Sequence, residues 1–187
     1  GDLVHKMYLE IELDGSNDVH TNAFCFIESA EVEIGGQMVD RHYGEWMHIW
    51  ADLTHDYEKA QILTTMLATN SQNKVYIPLQ FWFCRNPGLA LPLIALQYHE
   101  VKVIIEFRKA ADCKKVSSGS DSSMNSCQLY CDYIYLDTDE RRRFAQASHE
   151  YLIEQVQFNG TDSLASTQNL ANIDLKLNHP VKELLWV

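Results

Sequence analysis

Residues 75–107 read VYIPLQFWFCRNPGLALPLIALQYHEVKVIIEF. Large apolar side chains are dense in this stretch, yet Pro78, Pro87, Gly88 and Pro92 interrupt it. Proline lacks a backbone N–H and its ring clashes with the carbonyl four residues back, so no long helix runs through these positions. The stretch therefore reads as strands and turns that bury much of their surface. Residues 75–84 are expected as a strand and Asn86-Pro87-Gly88 as a turn. Residues 89–96 carry Pro92 and belong at an edge, a bend or a buried loop. Residues 99–107 alternate, with Val101, Val103, Ile105 and Phe107 opposite Lys102, Ile104 and Glu106, which predicts a second strand. So much apolar surface with so little chemistry points to a protein whose job is to be a shape.

Working outward, the period stays mostly two. In residues 6–13, Met7, Leu9, Ile11 and Leu13 face one way and Lys6, Tyr8, Glu10 and Glu12 the other. Residues 31–34 alternate again. Gly35-Gly36 then predicts a two-residue hairpin turn whose central positions both need positive φ, with residues 37–41 returning as the partner strand. Residues 44–68 change character. Trp46, Ile49, Trp50 and Leu53 recur at helical spacing, and Tyr57, Ala60, Gln61, Leu63 and Thr64 extend it, so a short helical insertion is expected. Residues 110–126 read as a Ser-rich surface loop and residues 128–136 as a Tyr-rich strand. From Asp137, a capping residue is followed by acids and then Arg141-Arg142-Arg143, the pattern of a helix start. A linker helix near residues 138–146 and a domain boundary near Ala147 follow. Beyond it, residues 151–158, 172–177 and 183–187 are expected as further strands, with a turn-rich loop at residues 159–167.

A chain of 187 residues holds one domain or slightly more. Its formal net charge of −11 argues against nonspecific adhesion to nucleic acid or to an anionic membrane surface, and no apolar run has the length of a membrane-spanning helix. Five cysteines suit neither a disulfide framework nor a zinc site. Cys127, Cys131 and Cys113 form only a weak metal-like cluster, and reduced cysteines acting as small apolar residues are the simpler reading. That usage fits a reducing compartment. The first residue is not Met, no charged-then-apolar leader is present, and the chain stops inside the apolar run at residues 184–187. Both ends are expected to be cut, with at least one strand missing upstream of Gly1.

The chemical candidates are weak. His42, His48 and His55 lie near Glu45 and Asp52, but His99-Glu100 and His149-Glu150 do not extend to the HExxH pattern, because positions 103 and 153 are Val and Ile. Cys84 with His99 lacks a base-orienting third group, and the neighbours Phe81, Trp82 and Phe83 argue for packing. Neither a catalytic residue, a metal site nor a cofactor is assigned. Arg141, Arg142 and Arg143 sit beside Asp137, Asp139 and Glu140, which suits local pairing or a salt-bridged hinge between two domains better than nucleic-acid binding. Trp46, Trp50, Trp82 and Trp186 would have to be exposed and coplanar to form a sugar platform. Asn159-Gly160-Thr161 matches a glycan acceptor.

The segment IPLQFWFCRNPGLALPLIALQYHEVK, residues 77–102, resembles the signature of the major capsid proteins of nucleocytoplasmic large DNA viruses, the group that holds iridoviruses and phycodnaviruses. Three further segments resemble the same family in the same order: IGGQ at 34–37 followed by Asp40 and HYGEW at 42–46; YLDTDERRRF at 135–144; and NHPVKEL at 178–184. The signature positions are Gly35, Gly36, Tyr43, Gly44, Glu45, Trp46, Pro78, Phe81, Trp82, Phe83, Asn86, Pro87, Gly88, Pro92, Asp137, Asp139, Arg141, Arg142, Arg143, Asn178, His179 and Pro180. What the resemblance implies is an all-β, antiparallel jelly-roll sandwich with short helical insertions. Residues 1–146 would be the first barrel of a double jelly roll with its linker helix, and residues 147–187 the opening strands of the second. It further implies a structural, non-enzymatic subunit of an icosahedral viral capsid that forms pseudo-hexagonal homotrimers. Its partners would be itself, neighbouring capsomers and minor capsid proteins, without nucleic acid or membrane insertion, in a virion shell assembled in the host cytoplasm. The insertion at 44–68 and the loop at 110–126 are the expected contact elements. A carbohydrate-binding jelly roll and a cupin-like enzyme are the alternatives. The first needs exposed Trp46 and Trp82, the second a cluster of His and Glu inside the barrel.

Overall fold

The computed structural model describes residues 1–14, 22–113, 124–163, 170 and 172–187. It divides into two compact units, Gly1–Gln155 and Val156–Val187.

In the first unit the described residues form two antiparallel sheets from β1 (Leu3–Leu13), β2 (Ile27–Ile34), β3 (Gln37–Tyr43), β4 (Lys74–Pro78), β5 (Leu91–Pro92), β6 (Val101–Phe107) and β7 (Met124–Ile134). β1 is the shared strand of the first sheet. One of its edges pairs with β7 from Leu3 to Leu13. The other pairs with β4, Leu9 opposite Ile77 and Ile11 opposite Val75, and then with the short β5, Leu3 opposite Pro92. The second sheet has the order β3-β2-β6. The alternation expected at residues 6–13 is present: Met7, Leu9, Ile11 and Leu13 are buried, and they join Val75 and Ile77, Ala30 and Val32, and the half-buried Val101, Val103 and Ile105 in one apolar core. On the opposite face Tyr8 donates to Asp132 at 2.9 Å and Lys74 to Glu10 at 2.7 Å.

The strand expected over residues 75–84 is shorter than its apolar run. The ladder with β1 ends at Pro78, and Leu79 N makes one more bond, to Met7 O at 2.9 Å. A single helical turn, α3 (Trp82–Arg85), follows. A strand sends alternate side chains to opposite faces. Phe81, Trp82 and Phe83 are consecutive and all buried, and the helical turn brings all three into the core where the ladder with β1 has already ended. The helical insertion forms as α1 (Gly44–Thr54) and α2 (Tyr57–Leu67). Its buried stripe is displaced from the expected one: Gly44, Met47 and Ala51 are covered in α1, only Leu63 is covered in α2, Trp46 and Trp50 are half-buried, and Leu53 and Tyr57 are exposed. The cause is Gly44. A Cβ at this position would lie 2.4 Å from Phe24 O and 2.5 Å from Ile27 O, so the glycine lets α1 settle directly on the 3-10 turn Ala23–Phe26 and sets the helix rotation.

The hairpin turn is as expected, with Gly35 at φ +60° and Gly36 at φ +82°. The helix start at Asp137 is also present. α4 (Thr138–Gln146) carries a capping box in which Asp137 accepts from Glu140 N at 2.8 Å and Glu140 reaches back to Asp137 N at 3.3 Å. Asp2 ties this helix to the start of β1. It accepts from Arg141 at 2.9 and 3.0 Å and from Leu136 N at 2.8 Å.

Among the described residues, 147–187 contain no strand, which corrects the strands expected at 151–158, 172–177 and 183–187. Alternation decides which way a side chain faces, but a strand also needs a backbone ladder. In the second unit side-chain amides take that place. Asn159 donates to Asp174 O at 3.0 Å and accepts from Lys176 N at 3.1 Å, and Gln157 accepts from Asn178 N at 3.2 Å. Residues 114–123 of the expected loop at 110–126, and residues 164–167 of that at 159–167, lie outside the described residues.

Two outcomes follow for stability. Gly36→Ala meets nothing within 4 Å and costs only its positive φ, about 1 kcal/mol. Gly44→Ala drives a methyl into two carbonyl oxygens and costs about 2–3 kcal/mol, so urea midpoints rank the glycines in that order. The second concerns acid. The Leu136 amide and the Arg141 guanidinium hold the Asp2 carboxyl below the usual carboxylate range, and Lys74 and then Tyr76 do the same for Glu10. Groups lowered on folding stabilise fully above the unfolded-state range and lose that contribution as pH falls through the folded values. Stability should fall as pH drops below about 5, and Asp2→Asn should flatten that fall; equal slopes in urea titrations of the two proteins would remove Asp2 from the account.

Candidate functional site: the anchored insertion and the linker

The insertion is fixed by the end of β3. Successive strand residues alternate faces, so Asp40 and His42 both point into the core, where they are buried. His42 Nε2 lies 2.8 Å from Asp40 Oδ2, and Asp40 Oδ1 accepts from Arg41 N at 2.9 Å. The imidazole stacks on Phe81 at 4.8 Å between centroids and meets the edge of Trp46 at 6.5 Å. Phe81 stacks on Phe83, and Trp82 lies edge-on to Phe83. The structure thus brings Tyr43, Gly44, Glu45, Trp46, Phe81, Trp82 and Phe83 into one knot from two distant segments. Tyr43 closes β3 opposite Ser29. Glu45 in the first turn of α1 binds Arg108 at 2.6 Å, and Arg108 also holds Glu28 at 3.0 Å, so one guanidinium links α1, β2 and the end of β6.

Arg85 is a second hub. Its guanidinium carbon lies 4.2 Å from the centroid of a Trp50 ring, its Nε donates to Gln80 O at 2.9 Å, and its Nη1 binds Glu154 at 3.2 Å. Gln155 also donates to Val39 O. Together with Asp2–Arg141, these contacts attach the segment after β7 to the body of the first unit at both ends. His149 donates to Phe144 O at 2.8 Å and stacks on the same residue, which turns the chain at the end of α4.

The other signature residues are spread over turns and edges. Pro78 ends β4 opposite Tyr8 and Pro92 lies buried in β5. Asn86 caps the turn Pro87–Leu89 by accepting from Gly88 N at 2.8 Å. Asp139, Arg142 and Arg143 are exposed on α4. Asn178, His179 and Pro180 are exposed in the second unit, as is Trp186. Asn159 engages both ends of its amide in backbone bonds.

Within the first unit the tryptophans do not make a sugar platform: Trp82 is buried and Trp46 is half-buried against His42 and Trp50. Cys84 is no nucleophile. Burial pushes its thiol up to about 12, and the His99 ring lies instead against Gly35 at the β2–β3 turn. Cys127 and Cys131 stand opposite Ile11 and Met7, about 13 Å apart along a strand, too far to share an ion. Among the described residues no three His, Cys, Asp or Glu side chains are grouped to hold a metal ion.

The roles of Arg85 and Asp2 carry no mark in the sequence reading, and Asp40 and His42 stand there in a family-like segment without being joined as an inward pair. The signal for the pair was present: two polar residues two apart on the face of a strand that must be buried. Arg85 carries no such mark, because its side-chain partners lie 35 and 69 residues away.

Residues 1–137 match the family described as major capsid protein N-terminus, and residues 140–187 match that described as large eukaryotic DNA virus major capsid protein. The chain is 52% identical to the major capsid protein of Pyramimonas orientalis virus, all of this chain aligning with 49% of that protein. It is 39% identical to that of Paramecium bursaria Chlorella virus 1, all of the chain aligning with 46%, and 42% identical to capsid protein 1 of Acanthamoeba polyphaga mimivirus, with 38% covered. The chain therefore spans about half the length or less of these relatives. Among solved structures, VP54 of PBCV-1, fitted into a reconstruction of the virophage Sputnik, superposes with a TM-score of 0.69 at 35% identity, over 84% of this chain and 41% of VP54. These relatives are structural capsid proteins rather than enzymes, and the fold they share with the two antiparallel sheets seen here is the all-β jelly roll. On matches that run from Gly1 to Val187, the chain belongs to the major capsid proteins of large eukaryotic DNA viruses.

Proposed function

We propose that this chain is the first barrel, with the start of the second, of a structural subunit that tiles an icosahedral viral capsid as a pseudo-hexagonal homotrimer. The single observation that carries this reading is the family match along the whole chain. In the same reading, residues 1–146 are the first jelly roll with its linker helix and residues 147–187 open the second. Two similar barrels per subunit give a trimer six similar walls, a form that closes against flat neighbours by repetition of symmetric interfaces.

The physical features support such a role. The core is aliphatic and aromatic, the insertion is bolted to it through Gly44, His42 and Arg108, and the linker is pinned at Asp2 and Arg85. A rigid body with a rigidly held projection suits a building block. The projection exposes Leu53, Tyr57 and Ile62, the kind of apolar side chains that form the buried centre of an interface. The partners in this reading are further copies, neighbouring capsomers and minor capsid proteins. The net charge of −11 disfavours direct nucleic-acid contact. The place of action is the virion shell, assembled in the host cytoplasm. The burial of Trp82 and the packing of Trp46 leave the carbohydrate-binding reading without support, and in the core His42 meets Asp40 with no third metal-ligating side chain grouped beside them among the described residues, which leaves the cupin-like reading without support.

Light scattering on the full-length protein tests the assembly: a trimer is expected, and a monomer at high concentration overturns the reading. In the same protein, Tyr57→Glu combined with Ile62→Glu should weaken trimerisation by about tenfold or more while leaving the circular dichroism of the subunit intact. Unchanged trimer stability would move the contact surface away from the insertion.

A further inference from the structure

Two cysteines that are 88 positions apart in sequence meet in the fold. Cys25 lies in the 3-10 turn Ala23–Phe26 just before β2, and Cys113 closes the turn Ala110–Cys113 just after β6. β2 and β6 are antiparallel neighbours with Ile27 opposite Phe107, and Arg108 N extends that pairing to Phe26 O at 2.9 Å. Both turns therefore leave the same end of one ladder. Cys113 Sγ lies 3.1 Å from the Cys25 carbonyl oxygen, and Cys25 Sγ lies 3.8 Å from the Cys113 carbonyl oxygen. Each thiol reaches the other residue's backbone carbonyl and the two side chains hydrogen-bond to each other, so the sulfurs are neighbours at one end of the ladder, as a disulfide requires.

We propose that Cys25 and Cys113 are a modification site: a small disulfide of the glutathione class oxidises the folded chain there to an internal disulfide. One cysteine gives up its proton and its thiolate attacks the small disulfide, forming a mixed disulfide and releasing one thiolate. The second cysteine, deprotonated in turn, attacks the protein sulfur of that mixed disulfide, forming the Cys25–Cys113 bond and releasing the other thiolate. The two released thiolates take up the two protons. Two electrons pass from the cysteine pair to the reagent, which leaves as two thiols.

The surroundings set the pace. Burial pushes the Cys25 thiol up to about 12, and burial raises Cys113 as well. Thiolate is scarce near neutrality, so the bond forms slowly and faster as pH rises. It is a staple added after folding. Once formed it joins the two ends of the segment that carries β2, β3, the insertion, β4, β5 and β6, and so restricts the unfolded chain strongly. Cys127 and Cys131, by contrast, lie about 13 Å apart along β7.

The test incubates the native chain with oxidised glutathione at pH 8, quenches with acid, alkylates the remaining thiols and digests without reductant. A peptide linked through Cys25 and Cys113 is expected, with alkylatable thiols falling from five to three. The melting temperature should rise by about 5–10 °C and return on reduction. Cys127→Ser with Cys131→Ser should leave the link in place, while Cys25→Ala or Cys113→Ala should abolish it; the double variant keeps the test valid if the latter two fail to fold. A link between other cysteines, a persistent glutathione adduct with no internal bond, or five alkylatable thiols after treatment would each overturn the proposal.

Discussion

The fold rests on β1 being paired along both edges. β7 occupies one side, β4 and β5 the other, and the inward row Met7, Leu9, Ile11 and Leu13 lies at the centre of the apolar core. A strand so placed has most of its backbone groups paired on both sides, so burying its side chains leaves few polar backbone groups without partners. The outer strands are less well covered. Leu129 shares a face with Leu9 through their pairing, yet it is 42% exposed while Leu9 is 2% exposed. The inward residues of β6 are only half-buried. Burial thus grades from β1 outward.

Around that strand, polar groups do what the core cannot. The His42–Asp40 pair and Arg108 sit where helix α1 leaves the sheet, and Arg85 and Asp2 sit where the chain after β7 comes back against it. A buried polar pair adds little net stability over apolar packing, because desolvation cancels much of the attraction. Its geometry is directional, however, and direction is what an emerging helix or a returning linker requires. Arg85 combines a hydrogen bond, an ion pair and a stacked aromatic in one planar group, a combination that a lysine ammonium would not reproduce.

Much of this was legible in the residues. The alternation at residues 6–13, the paired glycines at 35–36 and the Asp137 cap each act through local physics, and each element formed where its pattern placed it. The errors arose where a local pattern met a nonlocal demand. Phe81, Trp82 and Phe83 look like strand residues, but all three need burial and the chain turns to provide it. Trp46, Ile49, Trp50 and Leu53 look like the inner stripe of a helix, but the close approach of Gly44 to two carbonyls rotates α1 so that Met47 and Ala51 take that place. Residues 151–158 alternate as a strand should, yet a ladder is a relation between two segments and cannot be read from one. The Arg85 and Asp2 contacts were invisible for the same reason: nothing in the neighbourhood of either residue names a partner so far along the chain.

The two-sided pairing of β1 has a mechanical consequence. Force applied along β1 loads both of its ladders in shear, so many hydrogen bonds resist together. Force that peels β3 from its single partner β2 breaks them one after another. The unit is therefore anisotropic under load, stiff along the axis of its central strand and compliant at the outer edge of its second sheet.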